Sequence, residues 1–347
     1  MSTLAATAPA QLPWIRSERF DLGFIFGLVA LAAFTGTVVL TYPPLFYPVL
    51  LLDLWFLGYH HVISTYTRIC FDRKSFRENG YLLYAYLPVV AAVTLCVAAT
   101  FGIWVVVSVY FYWQWWHYTR QSWGVSRTYR SKDRDKLYEA PWLDQAIFYS
   151  VPVLGILGRS AEQQPTFIGF ELFSLPVPEA VVWIARAAAA LLLATWAWRR
   201  LIAWREGRLA KVHTLYMISH FAIFSLGYIL IADITVGWLV INIWHNAQYI
   251  LFVWMFNNRR FKDGIDPEAR FLSYISQPGR LWIYLLACIG ITGVLYLGML
   301  GTMQWLFAAS LAGTVVLYQI LNFHHYVVDT LIWKVRKPQF RETLGIK

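Results

Sequence analysis

The run Asn322-Phe323-His324-His325-Tyr326-Val327-Val328-Asp329 sets two adjacent histidines and an aspartate inside an apolar stretch long enough to cross a membrane. Ionisable groups at that depth are costly and concentrate at functional sites. Three further stretches repeat the pattern. Tyr59-His60-His61, Trp116-His117-Tyr118 and Trp244-His245-Asn246 also sit on aromatic-rich apolar runs, each leading into a basic patch. The chain reads as a scaffold that gathers histidines within a bilayer.

Composition supports that class. The chain has 347 residues, 59% hydrophobic and 14% charged, with a mean hydropathy of +0.50. A soluble domain is about 45–50% apolar and about 25% charged. Apolar runs recur from Phe20 to Trp333, so this is a polytopic protein and not a soluble domain with one anchor. Aromatic residues make up 18%, as interfacial and lipid-facing surface requires. The net charge of +10 does not point to nucleic acid, because the basic residues fall in short clusters between apolar runs and no nucleic-acid motif is present. Cys70, Cys96 and Cys288 lack CxxC spacing, which argues against a disulfide framework. Met1 to Pro13 does not read as a cleaved signal, since the first apolar run is long enough to span.

The fold class expected is all-α, a polytopic transmembrane helix bundle. A spanning helix needs roughly 20 apolar residues. About ten candidates follow, at about 21–41, 45–67, 80–100, 103–123, 143–158, 179–198, 212–232, 235–256, 281–300 and 303–333. The fifth is short and contains Pro152 and Gly155, so a re-entrant segment is the alternative there. The stretch 257–280 suggests an interfacial helix, and the mixed charges of 132–136 a solvated loop. With both termini in the cytoplasm, 27 of the 29 basic residues fall on the inner side. Only Arg159 lies outside, and Arg186 lies within a span. The chain divides into a cytoplasmic tail, 1–20, a transmembrane domain, 21–333, and a basic cytoplasmic tail, 334–347. The location expected is a multi-pass protein of the bacterial inner (cytoplasmic) membrane.

Of eight histidines, His213 sits at the inner mouth of its helix and reads as ordinary. The other seven share a depth. Counting from each histidine to the nearest basic cluster gives roughly 13–21 Å at 1.5 Å per residue. His60, His61, His117, His220, His245, His324 and His325 therefore form one layer from five helices. Neutral imidazole is the commonest metal ligand, and several facing helices can supply one site. These seven are the candidate ligands.

The neighbours suit the role of orienting such ligands. Asp329 lies four residues after His325, on the same helix face. Asn242 and Gln248 flank His245, and Gln114 and Gln121 flank His117. Asp53, two turns before His60, is placed to line an entry path, bind metal or pair with Arg186. Against these stand plainer readings. A single membrane histidine is as often a hydrogen-bonded packing residue, and His220 lacks a polar stripe. Adjacent histidines point about 100° apart, so one of each pair can be structural. Tyr59, Tyr118, Tyr249 and Tyr326 read as packing or interfacial aromatics, and Arg68 and Arg120 as snorkelling cations.

In broad arrangement the chain resembles the membrane-embedded, histidine-rich non-haem iron oxygenases of the fatty-acid desaturase, hydroxylase and alkane monooxygenase class. Those proteins carry many histidines at the cytoplasmic side of transmembrane helices. Their HxxxH and HxxHH boxes are absent here, so the resemblance extends to a histidine-rich metal centre and not to residue roles. It implies an oxidoreductase with iron, as two ions, that hydroxylates, desaturates or oxidatively cleaves a lipid-soluble small molecule, with an electron-donor protein as partner. Two alternatives stay open: a haem-binding membrane redox protein, and a metal- or proton-coupled transporter.

Overall fold

The structure, a computed structural model, describes residues 13–133, 136–307, 311–334 and 337–346. The charged run at 132–136, the start of the last span and the two tails fall partly outside these residues. The described chain is helical, apart from one two-stranded hairpin of β1 (Thr166–Phe167) and β2 (Phe170–Glu171). In chain order the helices are α1 Glu18–Thr41, α2 Pro43–Cys70, α3 Arg73–Asn79, α4 Leu82–Phe101 and α5 Ile103–Lys132. They continue with α6 Pro141–Ala161, α7 Glu179–Arg205, α8 Lys211–Leu230 and α9 Ile234–Arg260. The last four are α10 Arg270–Ile275, α11 Leu281–Phe307, α12 Leu311–Ile332 and α13 Pro338–Leu344.

Among the described residues, seven helices are long and apolar enough to cross a membrane: α1, α2, α4, α7, α8, α9 and α11. Three other sequence candidates, α5, α6 and α12, fold as long helices but fall short on apolarity. In α5 and α12 the cause is the polar residues set aside for the interior, among them Gln114, His117, Asn322, His325 and Asp329. The fifth candidate is one continuous helix, α6, about 30 Å long at 1.5 Å per residue, with Pro152 accommodated inside it. The stretch 257–280 folds into the six-residue α10 and a preceding single turn.

Burial separates the centre from the rim. In α9, 94% of the most apolar stretch is buried, against 11% in α4 and in α7. α9 is thus the axis of the bundle, while α4 and α7 present apolar side chains outward. At its first turns α9 packs against α8 with backbone nearly touching. A Cβ on Gly237 would collide with the Gly227 carbonyl oxygen. Small residues permit this approach where hydrophobic driving force between spans is weak. At the joint of α4 and α5, Gly102 takes φ +96°, a conformation that lets one residue separate two helices.

Among the described residues, four helices contain a widened turn with i→i+5 bonding: Gly23–Gly27, Leu54–Gly58, Leu82–Tyr86 and Leu226–Leu230. Such a turn adds about one residue without advancing the helix face and is frequent at functional sites. The turn at Leu54–Gly58 changes the expected register. Seven residues along an undisturbed helix would align Asp53 with His60. The widened turn aligns it with His61, and both face α9.

The first and last described segments pack on the bundle. Asp21 accepts hydrogen bonds from the backbone N–H of Ile15, Arg16 and Ser17 and from the Tyr129 hydroxyl. In α13, Phe340 is buried against Phe252, Phe256 and Trp333 of the bundle. The carbonyl of Leu344 accepts from Lys132 Nζ and from Arg259 at 3.1 Å. Burial, then the neighbouring Arg259 charge, pushes the Lys132 ammonium down to about 8.

Candidate metal centre

His61 of α2, His117 of α5, His245 of α9 and His325 of α12 meet at one point. Their rings form a closed four-membered circuit. The ring centres lie 4.2 Å apart for His61 and His325, 5.0 Å for His325 and His117, 5.0 Å for His117 and His245, and 4.9 Å for His245 and His61. All four side chains are buried, His245 and His325 completely.

The hydrogen bonding is lopsided. His245 has no partner on either ring nitrogen, and His61 has none on Nε2. Buried polar atoms in a low-dielectric interior are nearly always satisfied, so each exception calls for a reason. His325 supplies one. Its Nδ1 lies 2.8 Å from the Thr65 hydroxyl, while its Nε2 points at His117 Nε2, 3.3 Å away. Two ring nitrogens facing each other at that distance are a poor hydrogen bond and a good pair of ligands.

The donor atoms fall into two overlapping triads. One is His61, His117 and His245; the other is His117, His325 and Asp329. Within each, the candidate ligand atoms lie within 4.8 Å of one another. Ligands about 2.0–2.1 Å from an ion stand at most about 4 Å apart, so a small contraction closes either set. The residues present therefore fit a metal ion.

A second polar layer supports the first, and a simple rule generates it. Each of the four helices carries a polar residue four positions after its histidine: Thr65, Gln121, Tyr249 and Asp329. Because i and i+4 share a face, these residues stack one turn beneath the imidazoles. Three of them join. Tyr249 donates to Asp329 Oδ1 at 2.7 Å, and Thr65 donates to the same oxygen at 3.1 Å. Trp333 donates to the Tyr249 hydroxyl at 2.8 Å. With its proton given to Asp329, the Thr65 oxygen is left to accept from His325 Nδ1–H. That fixes the tautomer and leaves Nε2 as the free lone pair. Gln121 reaches the His245 carbonyl at 3.4 Å.

On the other side of the imidazoles, Asn242 donates to Asp53 and accepts from the Tyr118 hydroxyl. Tyr118 also bonds to Gln114, which accepts from Trp238. The Tyr118 ring lies over His245 at 4.1 Å and that of Tyr326 over His117 at 4.1 Å. Gln248 meets Tyr216 at 3.4 Å, one shell further out.

The remaining histidines of the predicted layer turn elsewhere. His324 Nε2 donates to the Leu82 carbonyl at 2.7 Å, so its Nδ1 accepts from Tyr66, also at 2.7 Å. His220 bonds to the Phe148 carbonyl and to Ser122, both at 3.0 Å, and stacks on Phe148. His60 approaches its own helix at the Phe56 carbonyl, 3.3 Å away, beside Tyr284. His213, read as ordinary, meets Ser126. Two side chains differ from expectation. Arg68 does not snorkel but lies buried between Trp333 and Phe256. Asp53 bonds to Asn242, and Arg186 stacks on Trp183 instead of pairing with it.

Sequence reasoning missed Thr65 and took Tyr249 for a packing aromatic. The spacing that singled out Asp329, four residues past a histidine, would have found both.

A scan against family models gives no match, and neither curated proteins nor solved structures yield one.

Proposed function

We propose that this chain is a membrane-embedded, metal-dependent oxidoreductase that acts on a lipid-soluble substrate at a centre held by His61, His117, His245 and His325, with Asp329 beside it. The observation that carries the reading is the convergence of four buried imidazoles from four helices, two of them, His61 and His245, with nitrogens that nothing else engages. The donor set also bears on the metal count. Four histidines and one carboxylate, with His117 common to both triads, suit one ion better than two. Imidazole with carboxylate fits iron among the redox metals, and a bound iron supplies one-electron chemistry and oxygen activation. The residues do the rest. Thr65 orients His325, Asp329 holds Thr65 and Tyr249, and the Tyr118 and Tyr326 rings cover His245 and His117.

The same reading takes ten helices as spanning, α5, α6 and α12 included, with both termini on the basic, cytoplasmic side of a bacterial inner membrane. In its support, His and His+4 layers from α2, α5, α9 and α12 meet in the same order, as they do only when the four helices run in parallel. The haem alternative is less favoured. The four rings pack against one another at 4.2–5.0 Å, which leaves no flat gap for a porphyrin between any facing pair.

Elemental analysis of the detergent-purified chain, with an absorption spectrum of the same sample, tests the proposal. About one iron per chain and no Soret band is the expected result. A Soret band would transfer the site to haem, and a chain that retains no metal when purified without chelator would remove the centre.

A further inference from the structure

A cavity of about 680 Å³ leads into this centre from the basic side of the bundle. It lies between α5, α9, α12 and α13. His117 and Asp329, both members of the histidine cluster, form its deep end. Its middle is apolar, with Trp123, Phe252, Trp333 and Phe340 on the walls. Its lining also includes Arg120, Arg127, Lys334 and Arg341, and Asp329 is the one carboxylate among the lining residues.

The charges are unevenly committed. Arg120 reaches the Tyr149 hydroxyl. Arg127 stands 3.9 Å from Asp144, a carboxylate that Arg130 already engages. Among the described residues no ion pair reaches Lys334 or Arg341. Ten residues of helix separate His117 from Arg127, about 15 Å along the axis. The cavity is therefore apolar with a cationic group of side chains at one end and the candidate metal ligands at the other.

We propose that this cavity holds the substrate as an anionic amphiphile. Its carboxylate or phosphate head lies among Arg127, Lys334 and Arg341, and its hydrocarbon runs inward to His117 and Asp329. Guanidinium and ammonium groups recognise either head, Arg by paired hydrogen bonds and Lys as a point charge. An uncharged hydrocarbon would fill the walls equally well but bring no counter-charge to Lys334 and Arg341, which have no ion pair among the described residues. The assignment rests on the proposed metal centre for which end of the ligand reacts. The recognition of the head does not depend on metal.

The test compares anion and alcohol on the full purified chain, as isolated and after chelator treatment. Labelled oleate and farnesyl diphosphate are competed by their partners, oleyl alcohol and farnesol. The expected result is at least tenfold tighter binding of the anion in one pair. A preference confined to oleate identifies a carboxylate head, and one confined to the diphosphate a phosphate head. Lys334→Gln with Arg341→Gln should reduce that preference to under threefold without weakening the alcohol, and Lys334→Arg should retain it. Retained alcohol binding shows that the double variant is folded. Equal affinity within threefold in both pairs, no binding of any probe, or a preference untouched in the double variant would each overturn the assignment. Iron content is read separately. A chain that prefers anions but holds no iron keeps this assignment and loses the metal centre, whereas iron without anion preference does the reverse.

Discussion

α2 and α12 each carry two consecutive histidines, and within each pair the two have opposite fates. His61 and His325 point at each other with ring centres 4.2 Å apart, and His61 Nε2 has no partner. His324, one residue from His325, has both nitrogens engaged by the Leu82 carbonyl and Tyr66. His60 turns back on its own helix. All four are buried and at one depth, so neither burial nor depth marks a ligand. What distinguishes the candidate ligands is convergence: their ring nitrogens gather at one point, whereas His60, whose Nε2 also lacks a partner, stands beside Tyr284 outside both triads.

The largest effect expected breaks the pairs apart. His61→Ala, His117→Ala, His245→Ala and His325→Ala should each cut retained metal at least tenfold while the protein still inserts. His324→Gln and His220→Gln should stay within twofold of the unaltered chain. Metal quantification on purified variants decides this, and equal loss from His324→Gln would erase the distinction. Next in size is the supporting layer. Removing an outer-shell partner weakens metal binding by about 10–100-fold. Asp329→Asn should fall in that range, and a loss as complete as that of His325→Ala would make Asp329 a direct ligand. Thr65→Val should weaken binding about tenfold, and Thr65→Ser, which keeps the hydroxyl, should restore it.

The satisfied histidines should report on stability instead. His324→Leu removes two buried hydrogen bonds, leaving the Leu82 carbonyl with the Leu87 N–H and the Tyr66 hydroxyl with the Leu321 carbonyl at 3.5 Å. A buried hydrogen bond contributes about 0.5–1.5 kcal/mol, so thermal unfolding should move down while metal content holds. A fall in metal with unchanged unfolding would reverse the assignment of the two neighbours.

The smallest effect concerns Lys132, a buried cation that does have a partner. Its folded value is about 8, below the ordinary 10.5, so between those two values the undocked state binds more protons. The docked state of α13 is therefore favoured as pH rises from about 8 towards 10.5. Limited tryptic cleavage after Arg341, inside α13, should slow over that interval, and Lys132→Met should flatten the change.

Much of this was legible in the sequence, for a reason that also sets its limit. Depth along a span is a count of residues times a fixed rise, so the histidine layer could be read from the distance to each basic cluster. Direction around a span is a phase, and phase depends on every turn before it. One widened turn at Leu54–Gly58 decides that His61 and not His60 shares a face with Asp53. His220 has the right depth but faces Phe148 and Ser122, because α8 approaches the bundle from the side of α6. Neither fact is written in local composition. The supporting residues Thr65 and Tyr249 were legible and were passed over, since each looks ordinary until its helix is aligned with three others.

The enclosure of α9 also bears on how the protein is made. A span that carries Asn242, His245, Asn246 and Gln248 has little to gain from lipid on its own, and every side of it is eventually covered by protein. Its packing partners α1 and α8 precede it in the chain, and the glycine contact with α8 admits no spacer. In chain order, then, α1 and α8 come before the polar axis they flank, so α9 is synthesised after two of the walls that enclose it.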